Sequence, residues 1–71
     1  MYIVPNIKFM KKIMLNEGLT LIQLSKKSNV SYSTIRSIFN EGHSPRPDTA
    51  YKIAKALDVK ADEIFLFKEV S

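Results

Sequence analysis

The stretch that decides the fold runs from Thr20 to Asn40: Thr20-Leu21-Ile22-Gln23-Leu24-Ser25-Lys26-Lys27-Ser28-Asn29-Val30-Ser31-Tyr32-Ser33-Thr34-Ile35-Arg36-Ser37-Ile38-Phe39-Asn40. It contains two helix starts. Thr20-Leu21-Ile22-Gln23 is a T-x-x-Q capping box, in which the Thr20 and Gln23 side chains satisfy two otherwise orphaned backbone donors. The helix it opens runs to about Ser28, with Leu24 inward and Lys26 and Lys27 outward. Only Ser28-Asn29-Val30 then precedes Ser31, a second good N-cap. The next helix, Tyr32 to about Asn40, sets Ile35, Ile38 and Phe39 inward and Tyr32, Ser33, Arg36, Ser37 and Asn40 on the opposite face.

Helical spacing continues on both sides of this pair. Toward the N-terminus, Asn6 after Pro5 caps a helix to about Asn16 whose apolar stripe is Ile7, Met10, Ile13 and Met14. Asn16-Glu17-Gly18 stops it, because glycine accepts the left-handed conformation that follows a helix end. Toward the C-terminus, the loop Glu41-Gly42-His43-Ser44-Pro45 leads to Arg46-Pro47-Asp48. Pro47 suits a first helical position, and Asp48 suits the positive end of the helix dipole. The stripe there is Ala50, Ile53, Ala54 and Leu57, with Lys52 and Lys55 outward. Asp58-Val59-Lys60 breaks the chain before a fifth helix of roughly Ala61 to Phe65.

The spacing shows five helices and no segment that alternates over a strand's length. Tyr2-Ile3-Val4 and Ile64-Phe65-Leu66-Phe67-Lys68-Glu69-Val70 are rich in β-branched or aromatic residues. They either pair as a small two-stranded ribbon or leave the C-terminal run as a dimer seam. The seam is favoured, because Leu66 and Phe67 exceed what a monomer of this size needs. Leu21 and Ile22 likewise either cover a core edge or belong to a partner surface.

Composition limits the functions open to the chain. Its 71 residues have room for one domain, 1–71, that buries about 60% of its unfolded surface. With 45% hydrophobic and 25% charged residues it is an ordinary globular sequence. No cysteine is present, which removes disulfide staples, Cys-based zinc sites and thiol catalysis. A lone His43 assembles neither a metal site nor a triad, and the adjacent Asp62 and Glu63 point to different sides of a helix. An enzyme, a cofactor and a small-molecule ligand are not expected. Lys8, Lys11 and Lys12 interrupt the richest early apolar region, and Met1 to Val4 lacks a charged n-region. A soluble, cytoplasmic protein without a membrane partner is therefore expected.

Net charge is +4, and it is unevenly placed. Residues 1–46 carry Lys8, Lys11, Lys12, Lys26, Lys27, Arg36 and Arg46 against Glu17 and Glu41, whereas residues 47–71 are nearly balanced. A surface facing a polyanion should therefore come from the first two thirds. Lys8, Lys11 and Lys12 read best as a solvated face.

Two capped helices joined by so short a turn, the second polar on its outer face, form a helix-turn-helix at 20–40 with 31–40 as recognition helix. An α-helix fits the B-DNA major groove, where hydroxyl, amide and guanidinium groups can read base edges.

Gly18-Leu19-Thr20, Leu24-Ser25-Lys26-Lys27, Val30-Ser31-Tyr32-Ser33-Thr34-Ile35, Pro45-Arg46-Pro47-Asp48-Thr49 and Lys52-Ile53-Ala54-Lys55-Ala56-Leu57-Asp58-Val59 together resemble the lambda-repressor and Cro-like (XRE-type) helix-turn-helix domains. The resemblance covers roughly Ile7 to Phe65 without an obvious insertion. It implies a compact all-α five-helix domain, a double-stranded DNA operator as partner, and a homodimer at least on DNA. By position it puts base reading on Tyr32, Ser33, Arg36 and Ser37, and backbone contacts on Thr20, Gln23, Ser31, Asn40, His43 and Arg46. The function it implies is transcriptional regulation, as a repressor.

Three departures stand out. The family commonly places an Arg late in helix 1 and a Glu late in helix 3 as a buried ion pair, and Met14 and Phe39 occupy those positions. A buried ion pair can be exchanged for packed apolar groups at little cost, so Met14 and Phe39 are expected to touch. Leu21 stands where the family usually has a phosphate-reaching Gln, and Gly42, His43 and Ser44 where it usually has Lys or Arg. Phosphate contact then leans on backbone amides, Asn40, His43 and Arg46, and a protonated His43 would strengthen it. Tyr32 either enters the groove, the favoured reading, or packs on helix 2. Arg36 either forms bidentate bonds to guanine O6 and N7 or stays on phosphate or in solvent. The rival from another class is a protein-interaction module or antitoxin on the same fold.

Overall fold

Caps set the helix boundaries. A computed structural model describes residues 2–69 and gives the order β1 (Tyr2–Pro5), α1 (Ile7–Glu17), α2 (Leu21–Ser28), α3 (Tyr32–Glu41), α4 (Pro47–Ala56), α5 (Ala61–Ile64), β2 (Phe65–Lys68). The Asn6, Thr20 and Ser31 side chains accept the N–H of Phe9, Gln23 and Thr34, so all three predicted caps are in place. Pro47 opens α4 with Asp48 in its first turn. Val70, the end of the C-terminal apolar run, and Met1 lie outside the described residues.

The turn between α2 and α3 is held from inside. Asn29 takes the left-handed conformation at φ 59° and donates its N–H to the Ser25 carbonyl. Asparagine tolerates that region better than other non-glycine residues, so α2 ends without glycine. Val30 turns into the core, and the Ser25 hydroxyl donates to its carbonyl at 2.7 Å. The buried Ser28 hydroxyl gives its proton to Leu24 O at 2.7 Å, so it carries no unmet polar cost.

One core joins all five helices and the ribbon. Met10, Leu24, Ile35, Ile38, Ile53, Leu57 and Ile64 are its large, fully enclosed side chains. α2 packs on both α3 and α4, and α5 packs on α1 and α4, so the helix that precedes the turn is clamped from two sides. Met14 and Phe39 are both buried in this core and line one shallow cleft with Leu19 and Leu21. The two residues expected to touch thus share one cleft.

The chain termini depart from the reading of the C-terminal run as a seam alone. β1 and β2 pair antiparallel, with Tyr2 opposite Lys68, Ile3 opposite Phe67, Val4 opposite Leu66 and Pro5 opposite Phe65. The fifth helix accordingly stops at Ile64, not Phe65, whose backbone is already extended at φ −129°, ψ 136°. Asn6 N–H continues the ladder to Ile64 O at 2.8 Å, whereas Ile3 N–H points the other way and donates to Ser44 Oγ at 2.9 Å. Even-numbered residues of β1 therefore face β2. Pro5, an odd-numbered residue, lacks an N–H that the ladder never needs, which is why proline is tolerated in this strand.

Candidate nucleic-acid interface

α3 presents its polar face as one open hollow. Tyr32, Ser33, Arg36, Ser37 and Asn40 line it together with Glu41, so all four predicted base-reading residues and one predicted phosphate contact lie side by side. Among the described residues no other element contributes to the lining. The inward residues Ile35, Ile38 and Phe39 are buried and fix the rotation of the helix, which leaves Tyr32, Ser33, Arg36 and Asn40 exposed and Ser37 half-buried. Tyr32 lines the hollow and remains 43% exposed.

Neither α2 nor α3 has an acidic residue in its first turn. The partial positive charge at each helix start is therefore uncancelled locally, which suits an approaching phosphate. Thr20 Oγ1 accepts the Gln23 N–H at 3.1 Å, and Gln23 Oε1 accepts the Thr20 N–H at 2.9 Å. The cap uses acceptors only, so the Thr20 hydroxyl proton and the Gln23 amide NH2 can still donate outward. Ser31 is more committed: its oxygen accepts the Thr34 N–H at 3.3 Å, and its hydroxyl donates to Thr34 Oγ1 at 2.9 Å. Thr34 was not singled out by the sequence, although its place three residues after a cap serine could have marked it.

The loop after α3 begins at Gly42, whose φ of 66° is left-handed and whose N–H donates to Ile38 O at 3.1 Å. A side chain there would be strained whatever the free space around it. His43 N–H donates to Ser37 O at 3.3 Å, leaving its imidazole exposed. Arg46 pairs with Asp48 at 3.8 Å, with 86% and 65% of the two side chains exposed. Such a pair is worth little in water, so Arg46 can exchange Asp48 for a phosphate.

Leu21 and Ile22 divide between the two roles left open for them. Leu21 is half-buried against the core, while Ile22 is 55% exposed. No helix among the described residues is long and apolar enough to cross a membrane.

A helix-turn-helix family model matches residues 10–64, spanning α2, the turn and α3 with the helices on either side. No curated protein matches the chain.

Proposed function

Because the chain belongs to the XRE-type, lambda-repressor-like helix-turn-helix family, whose members are DNA-binding regulators, we propose that it is a sequence-specific transcriptional repressor that reads the major groove with α3. The observation that carries this reading is the unobstructed polar face of α3, where Tyr32, Ser33, Arg36 and Ser37 adjoin without contribution from another element among the described residues. Tyr32, Ser33, Arg36 and Ser37 contact base edges. Thr20, Gln23, Ser31, Asn40, His43 and Arg46 contact the phosphates on either side. We assign no catalytic step to the chain. Footprinting on DNA upstream of the protein's own gene tests the reading, with a protected, roughly two-fold-symmetric site as the expected result.

Phosphate contact here rests on few charges, so binding should weaken only modestly with salt. Each neutralised phosphate contributes about −0.9 to the slope of log K against log salt on B-DNA. The expected slope is shallower than about −5, measured by fluorescence anisotropy across a salt series. A steeper slope would mean six or more released ions and would require basic side chains beyond those assigned.

The repressor acts as a homodimer on DNA, meeting its copy through the exposed Leu66 and Phe67 of β2 (56% and 55% exposed). Odd-numbered residues of β2 face away from β1, and so offer backbone groups along an edge that a second β2 can pair with antiparallel. Sedimentation equilibrium should show self-association that weakens in a Phe67→Lys variant. A monomer at every concentration, with and without duplex, would remove this seam.

The exposed Ile22 and Leu66 also favour a protein partner beside the DNA, as in an antitoxin. Absence of duplex binding together with tight binding of one protein would replace the repressor reading with that one.

A further inference from the structure

We propose that Ser44 is a positioning residue for DNA binding: its hydroxyl fastens the α3–α4 loop to the N-terminal strand and so fixes where His43 and Arg46 meet the phosphates. The inference rests on the proposed DNA-binding reading. Its structural basis is one bond. Ile3 N–H donates to Ser44 Oγ at 2.9 Å across 41 residues of sequence.

The loop has two anchors. At its start, Gly42 and His43 N–H groups return to Ile38 and Ser37 carbonyls. At its end, Pro45 is buried and Pro47 opens α4. Between these points the exposed side chains of His43 and Arg46 flank Ser44, and the only side-chain hydrogen bond from this segment to a distant part of the chain, among the described residues, is the one from Ile3. Ile3 itself is buried at 7% exposure and sits in a strand paired to β2. The strand is therefore anchored to the core through Ile3, and the bond ties to it a loop with no regular structure of its own. Because β2 holds the other edge of β1, the Ile3 N–H is satisfied by Ser44 or by water. Loss of the hydroxyl thus frees the loop without opening the ribbon ladder.

The geometry gives the terminal ribbon a part in function. It does not touch the face of α3, but it holds the segment that closes on the backbone beside that face. A loop fixed in advance loses less freedom when it meets phosphate than a loose one does.

The test uses Ser44→Ala and Ser44→Thr in the full chain, with binding measured on a preferred and on a random-sequence duplex over a salt series. Ser44→Ala should speed exchange of the Ile3 amide. It should weaken binding roughly three- to ten-fold, the scale of one hydrogen bond, and equally on both duplexes, since phosphate contacts carry no sequence information. The salt slope should fall by about one. Ser44→Thr should restore all three. In a His43→Ala, Arg46→Ala background, Ser44→Ala should cause no further loss, because the groups it positions are gone. The inference is overturned by unchanged affinity despite a freed Ile3 amide, or by full additivity with the His43 and Arg46 changes. A wild-type protein that binds no duplex would instead overturn the DNA-binding reading, and this inference with it.

Discussion

An Arg36→Ala variant is expected to lose about 1–3 kcal/mol of binding to the preferred duplex and to become tolerant at one base pair of the site. Arg36 stands at the middle of the exposed hollow on α3, between Ser33 and Asn40, and carries the one positive charge among the residues that line it. Glu41 also lines the hollow, but no ion pair among the described residues holds Arg36 to it, so the guanidinium is free to enter the groove. A fork of N–H groups can hold guanine O6 and N7 together, so the loss should concentrate on duplexes that keep that guanine. Competition binding against every single-base variant of the site measures this. A loss of equal size on all sequences, with a shallower salt slope, would put Arg36 on phosphate instead.

The second large effect is on folding. Leu24→Ala is expected to cost about 2–5 kcal/mol, because a fully buried leucine leaves a cavity that its surroundings only partly close. Leu24 is 0% exposed in the helix clamped between α3 and α4. A domain of this length has roughly 4–10 kcal/mol of stability in total, so the change removes a large share. In thermal unfolding the midpoint should drop by about 10 °C or more, at roughly 4–8 °C per kcal/mol for a domain of this size. Leu15→Ala is the control: Leu15 is 80% exposed, and its truncation should stay within about 0.5 kcal/mol. Equal effects of the two changes would mean that α2 is not seated as described.

The helices and their faces were legible because local chemistry specifies them. Asn6, Thr20 and Ser31 are cap residues by type, and all three accept the backbone N–H that such residues accept. The stripe Ala50, Ile53, Ala54 and Leu57 is buried throughout, and the rotation of α3 follows from Ile35, Ile38 and Phe39 in the same way. That Met14 and Phe39 come to line one cleft was readable only through family resemblance, since nothing in either residue announces the other.

The terminal ribbon was legible only as one of two alternatives, with the seam favoured over it, and the reason is physical. Alternation signals a strand when one face is polar, but Tyr2, Ile3 and Val4 are apolar in succession although only Ile3 is buried. In β2, Leu66 and Phe67 are both exposed next to buried Phe65, so no alternation exists to be seen. Pro5 fits the strand because its missing N–H is on the side away from β2. Ser44 was hidden for a different reason: its partner lies 41 residues earlier, and no local pattern encodes a contact of that separation. Asn29 shows an intermediate case. Its left-handed geometry ends α2, yet in sequence it read only as part of the spacer.

The most direct test of the central claim is to measure intermolecular NOEs between the labelled protein and a duplex selected from random sequence. Thymine methyl and cytosine H5 protons lie in the major groove. NOEs from these protons to the side chains of Tyr32, Ser33, Arg36 and Ser37 are predicted. A tight, sequence-dependent complex whose NOEs arise instead from α4, α5 or the ribbon, with the face of α3 unperturbed, would contradict the account.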